Sequence, residues 1–445
     1  MKKKLTALGL VLAVVASLFA GMTLTYFTDK GTVTNTFTVG NVDIKVYETD
    51  ANGQETEAGR LYENVVPGVK YAKDPTIKNI GRNDAYARML VTVPLDLFQA
   101  LATKGITDLT DVFGGHGPAD WVFAGSYADT TANTMTYVYN YKNVLPPNAS
   151  ATLFTSFTLP SFLTQEDLAN WDRFYIVVEG QAIQKEGFDT ADDAYGALET
   201  ACGHTPTVPA LVTSAAEFST AVSGEASTIV LTDDVALTAP ITITGDCTVI
   251  GNGDATISTH PVTVASDAEV TFKNVNFETP DNTSNKASSV YASGLEGKVV
   301  FDGCTFTNPQ WECIQITPKD GAEVIVTNCK FVADGNGVYA HGTKVERLLH
   351  IQNTDATGKY KATITNNQFV GVDLCRNAVI DVDDIEAFAN VTCGGNTFYN
   401  HDYTPVSSMA DGMIYVNING LYDAANVATN TFAQFTRTPA AALVH

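Results

Sequence analysis

The chain has 445 residues, 26 Lys plus Arg against 49 Asp plus Glu, with 45% hydrophobic and only 17% charged residues. Length sets a soft expectation of two or three domains, and so low a charged fraction beside that much apolar content excludes a long disordered chain. Taking away the three lysines at the extreme N-terminus leaves 23 cations against 49 acids, a charge of −26. Such a surface repels nucleic acid and anionic lipid, so neither is expected as a partner.

Lys2, Lys3 and Lys4 precede an apolar run from Leu5 to Ala20, the charged and apolar regions of a secretory signal. Leu5 to Leu24 is also long enough to span a bilayer, so a retained anchor is the competing reading. The switch to polar, strand-like sequence after Thr25 favours removal, with residues 1–25 as the signal peptide and no membrane attachment afterwards. No clean Ala-x-Ala cleavage site is present. The segment runs instead through Tyr26-Phe27-Thr28-Asp29 to Asn35-Thr36-Phe37-Thr38-Val39-Gly40-Asn41-Val42.

This leader and the segment behind it resemble the TasA/camelysin family of secreted Gram-positive proteins, several of which assemble into biofilm matrix fibres. The resemblance continues through Val66-Pro67-Gly68, Lys73-Asp74-Pro75-Thr76-Ile77-Lys78-Asn79 and Ala85-Tyr86-Ala87-Arg88-Met89, covering about residues 1–190. It implies processing between Thr25 and Tyr26 by a W-type signal peptidase and an extracellular matrix or cell-surface location. It also implies copies of the same chain as partners in a filament. Tyr26 to Thr36, including Phe27, Val33 and Thr34, has β-branched and aromatic residues and no proline. Once freed, it would add as a strand to the sheet edge of the next subunit. The alternative is that it folds back as the first strand of its own domain.

Residues 26–185 read as an all-β, jelly-roll-like sandwich, with alternating segments at 37–46, 76–80, 85–93, 135–141, 151–159 and 174–183, bounded by turn residues. Leu95, Leu97, Phe98 and Leu101 share a helical face and predict a short inserted helix. Residues 186–213 read as a linker with a small-residue helix near 190–200.

Residues 214–445 read as a parallel β-helix. Ser214 is positioned as the N-cap of a helix carrying Phe218 and Val222, which would cover the first coil. Beyond it a strand unit repeats every 25 to 38 residues, the spacing of a solenoid. In its register Phe277, Phe306, Phe331, Phe369 and Phe398 coincide, as do Val275, Cys304, Cys329, Asn367 and Asn396 two places earlier. Stacked coils would turn these into ladders. A second strand type is read at 289–292, 313–316, 337–340, 378–382 and 412–418. The opening residues 228–253 resemble the first coils of the pectate-lyase-like superfamily, which implies a right-handed helix over about residues 214–435.

Candidate chemistry is sparse. The seven cysteines form no Cys-x-x-Cys and the seven histidines no His-Glu-x-x-His, so neither a zinc knuckle nor a zinc peptidase is expected, and no metal ligand is assigned. Cys304 and Cys329 are read either as a bridge between coils or as buried thiols. Asp373, Arg376, Asp381 and Asp383 are the residue types that polysaccharide lyases use to hold Ca²⁺ against a uronate and abstract a proton. Asp381 and Asp383 share one strand face. Tyr339 and Tyr415 on the same strand type would add a sugar-stacking surface. A solvated acidic face explains the same carboxylates.

The chain closes on Pro439-Ala-Ala-Ala-Leu-Val-His445 with no sorting motif, so retention is expected to come from assembly or partner binding. The sequence therefore points to a secreted matrix or surface protein whose β-helix presents an adhesive or glycan-binding face to a polysaccharide or surface protein. No cofactor and no catalytic residue is expected. The competing readings are an extracellular polysaccharide lyase or glycoside hydrolase and a purely structural spacer.

Overall fold

A computed structural model describes residues 42–402 together with 416–418 and 431–432. Within that span it leaves out 51, 58–61, 63–64, 118, 165–167, 169–174, 281–287, 338, 340–341, 343, 354–358, 377 and 384–389. Thr25, Tyr26, Phe27, Val33, Thr34 and Tyr415 lie outside the described residues. The structure is mostly β, and it divides into two compact units: residues 1–94, 112–121 and 141–194, and residues 95–111, 122–140 and 195–445.

The first unit is antiparallel. Ile44–Thr49 pairs with Glu55–Thr56 on one side and Thr76–Asn79 on the other, and Thr76–Asn79 continues to Ser150–Thr152. Lys70–Ala72, Ser156–Thr158 and Phe113–Gly114 form a second sheet. Ala85–Pro94 pairs along eight residues with Val177–Gln184. The segment read as one strand over 151–159 is two short strands, because Leu153–Thr155 leaves one sheet before Ser156 joins the other.

The motif Lys73-Asp74-Pro75-Thr76 works as a clamp in this unit. The buried Lys73 ammonium lies 2.5 Å from Glu48, and Asp74 accepts from the Thr49 backbone N–H at 2.9 Å. The Thr76 hydroxyl lies 2.8 Å from that of Thr152. Asn79 donates to the carbonyls of Asn83 and Leu145, and buried Arg88 donates through Nε to Gln181 at 2.7 Å.

The expected helices appear at Leu95–Ala102, with Leu95, Leu97, Phe98 and Leu101 all buried, and at Ala191–Cys202. The strand Trp121–Asp129 was not legible, because its Ala124-Gly125-Ser126 centre breaks the apolar alternation. The strands from Ala210–Val212 onward form a parallel solenoid. Three sheets of eight, eight and seven strands, here faces A, B and C, are visited in turn by each coil. Successive coils carry their face A strands at Thr228–Leu231, Cys247–Gly251, Val270–Lys273, Lys298–Asp302, Glu323–Thr327, Lys361–Thr365 and Val391–Gly394, here coils 1 to 7.

The helix Ala215–Ser223 packs its buried Phe218, Ala221 and Val222 against the first coil, with Ser214 as N-cap accepting from the Glu217 N–H. Glu217 reaches back to the Thr213 N–H at 2.8 Å, so two donors at the helix start are satisfied.

The corner between faces A and B explains the repeat. One residue there takes a left-handed conformation: Asn274, Gly303, Asn328, Asn366 and Gly395, with φ between 53° and 70°. Only Gly and Asn enter that region cheaply. The following residue starts the corner ladder. Asn367 donates to the Val326 carbonyl one coil earlier at 3.0 Å while its Oδ1 accepts the Cys329 N–H at 2.8 Å; Asn396 does the same for Ile364 and Asn367. Cys304 and Cys329 occupy the same ladder: Cys304 Sγ donates toward the equivalent carbonyl of Phe272 at 3.3 Å, and Cys329 Sγ lies between the carbonyls of Thr327 at 3.2 Å and Phe301 at 3.5 Å.

All seven cysteines are free thiols. Burial pushes the Cys247 thiol up to about 12 and those of Cys313 and Cys329 well above their ordinary value, which keeps them neutral packing groups.

Two residues on, the Phe rings stack in register from Phe277 to Phe398, with centroids 4.7 to 5.3 Å apart and planes within 13° of parallel. Phe331 is fully buried with a ring against each face. Phe331→Ala should therefore cost about 3–5 kcal/mol in denaturant unfolding. A loss under about 1 kcal/mol would contradict the ladder.

Candidate functional site

Face C is where the solenoid gathers charge. Its strands include Val290–Leu295, Ile314–Pro318, Leu349–Gln352 and Ile380–Asp383. Alternation sends Ile314, Ile316, Leu349, Ile351, Ile380 and Val382 into the core, so the opposite side carries Tyr291, Gln315, His350 and Asp381, in register from coil to coil. The face C strand of coil 5 is Leu349–Gln352, not the segment 337–340 read from the sequence. Val338-Tyr339-Ala340 and Leu349-His350-Ile351 alternate equally well. The chain instead makes a long excursion over 333–348 before joining the face.

That excursion brings Glu346 and Arg347 over the row. The Arg347 guanidinium donates through Nε to Asp381 and through Nη1 to Glu312 at 3.0 Å. Glu312, wholly buried at the entrance to its strand, also lies 3.2 Å from His350 Nδ1. His350 is 6% exposed, and its Nε2 has no hydrogen-bond partner among the described residues. A ring nitrogen of His350 and one carboxylate oxygen each from Asp381 and Asp383 lie within 4.8 Å of one another. Burial works against the Arg347 charge, yet Asp381 and Glu312 hold its pKa above the ordinary value.

The sequence-derived candidates are distributed as follows. Asp381 and Asp383 come together, joined by His350. Arg376 reaches Glu346 at 3.5 Å, and Glu346 lies 3.9 Å from Arg347, so Arg376 sits at the outer end of the same network. Asp373, in the short turn Val372–Leu374, pairs instead with His401 at 2.6 Å, holding that imidazole's pKa above its ordinary value. Tyr339 is buried in its own loop, its hydroxyl donating to Asn308 at 2.8 Å and accepting the Gly335 N–H. Glu312, Arg347 and His350 were missed. Aligning Leu349-His350-Ile351 with Ile380-Asp381-Val382 would have found the His–Asp contact, but the length of the preceding loop conceals that alignment.

Residues 1–92 match the family model described as Camelysin metallo-endopeptidase. This is the N-terminal half of the stretch over which the sequence resembles that family, and it includes the Lys73–Thr76 clamp and Arg88. The solenoid lies outside it. No curated protein and no solved structure matches the chain. Among the described residues, no helix is long and apolar enough to cross a membrane.

Arg347 balances two buried carboxylates, so its removal strands both. Arg347→Met should destabilise the chain by about 3–5 kcal/mol. Chemical unfolding measures this, and a loss under about 1 kcal/mol would show that solvent screens the cluster.

Proposed function

We propose that this is a secreted structural protein of a cell surface or extracellular matrix. Its N-terminal domain serves assembly and its solenoid presents an elongated recognition face. The observation that carries the reading is the camelysin-family match over residues 1–92, leader included, in one chain with a seven-coil parallel solenoid. In this reading the first unit's antiparallel sheets belong to a jelly-roll-like sandwich, and the solenoid is a right-handed helix of pectate-lyase-like shape. A W-type signal peptidase cuts between Thr25 and Tyr26. The freed strand Tyr26–Thr36, with Phe27, Val33 and Thr34 as its side chains, joins the sheet edge of the next copy. The contact is heterologous and does not close, so it builds a filament.

The solenoid's role is binding rather than catalysis, with a polysaccharide or a surface protein as partner. Support comes from how Asp381 is used. An acid–base pair at work needs a carboxylate facing substrate, and Asp381 is 3% exposed and engaged by Arg347. Purified mature chain should accordingly turn over no polyuronate. Turnover abolished by Asp381→Asn or Asp383→Asn would establish the lyase reading instead.

Intact mass and electron microscopy of the secreted protein test the assembly. The mature chain should lack Leu5–Ala20 and form filaments, and a chain lacking residues 26–36 should stay folded and monomeric. A mature chain that remains monomeric at high concentration with seed present would refute it.

A further inference from the structure

We propose that His350, Asp381 and Asp383 form a binding site for a first-row divalent metal ion on face C, linking coils 5 and 6. The inference stands on the solenoid alone and does not depend on the matrix reading.

The strands set the geometry. His350 and Asp381 are paired in adjacent coils, and Asp383 follows two residues along the same strand, paired with Gln352. All three side chains therefore leave the sheet on one side, with ligand atoms within 4.8 Å of one another. An ion held at about 2.0–2.2 Å by each ligand separates opposed ligands by at most about 4.4 Å, so a small side-chain rotation closes the site.

The imidazole supplies the second, independent indication. Its Nδ1 faces the Glu312 carboxylate at 3.2 Å, which fixes the proton there and leaves Nε2 as the lone-pair nitrogen. That nitrogen is buried and has no partner among the described residues, a costly arrangement for a polar atom unless something binds it. A carboxylate behind a histidine whose other nitrogen is bare is the outer-shell arrangement that orients metal-ligating imidazoles.

Charge agrees. Three carboxylates, Glu312, Asp381 and Asp383, stand against the guanidinium of Arg347, an excess of negative charge that a divalent ion offsets. Mixed imidazole and carboxylate donors favour zinc, cobalt, nickel or manganese over calcium, which takes oxygen ligands.

The test uses the purified full chain, stripped with EDTA and dialysed, then titrated calorimetrically with Zn²⁺, Co²⁺ and Ca²⁺, with the visible absorbance of the Co²⁺ form as a second readout. We expect one equivalent of Zn²⁺ or Co²⁺ and a higher thermal midpoint on binding. Affinity should fall at least tenfold in both His350→Gln and Asp383→Asn, and by about 10–100-fold in Glu312→Gln. Thermal melting of each variant in EDTA, beside the parent, separates lost binding from lost folding. The proposal is overturned if neither Zn²⁺ nor Co²⁺ binds, leaving an internal ion-pair network. It also fails if both variants bind as the parent does, or if Ca²⁺ is preferred, since His350 would then not be a ligand.

Discussion

Everything in the solenoid depends on strands stacking in register at the spacing of backbone hydrogen bonds. Once coils are held about 4.8 Å apart, a side chain has its counterpart from the next coil as its nearest neighbour. Apolar rows gain from this, as the Phe277–Phe398 stack does. Polar rows find partners within the row, are covered, or stay solvated. The corner asparagines solve the first problem by bonding backwards to the coil before them. Face C solves the second by bringing Arg347 over carboxylates that would otherwise repel one another.

The same constraint shows why charge can be buried on the outside of this fold. Face C residues that point away from the core would normally be solvated. Here Arg347 reaches both Glu312 and Asp381, and Glu312, His350 and Asp381 are nearly as inaccessible as the Phe ladder.

Legibility followed local regularity. The Phe and Asn/Cys ladders, the N-terminal cap with Ser214 and the helix at Leu95 were readable because each repeats or obeys a local rule. Asp381 and Asp383 were readable as a pair because they alternate on one strand. The strand Leu349–Gln352 was misplaced because Tyr339 sits in a segment of equally regular sequence, and no local signal distinguishes the two. With that strand misplaced, His350 could not be set beside Asp381. Glu312 and Arg347 belong to loops, where position is fixed by tertiary contacts and not by periodicity.

The corner ladder has a further implication, for how such a chain can grow over evolutionary time. An asparagine on this rung carries both halves of its own splice: an amide that serves the previous carbonyl and an oxygen that receives the previous N–H. A duplicated coil ending in Asn arrives with the joints it needs, and the rungs on either side keep their bonds. A thiol makes the same two joints more weakly: Cys329 Sγ lies 3.5 Å from the Phe301 carbonyl and accepts the backbone N–H of Cys304. The asparagine joints are the stronger ones, so duplication of a whole coil is least disruptive where Asn367 and Asn396 form the rungs.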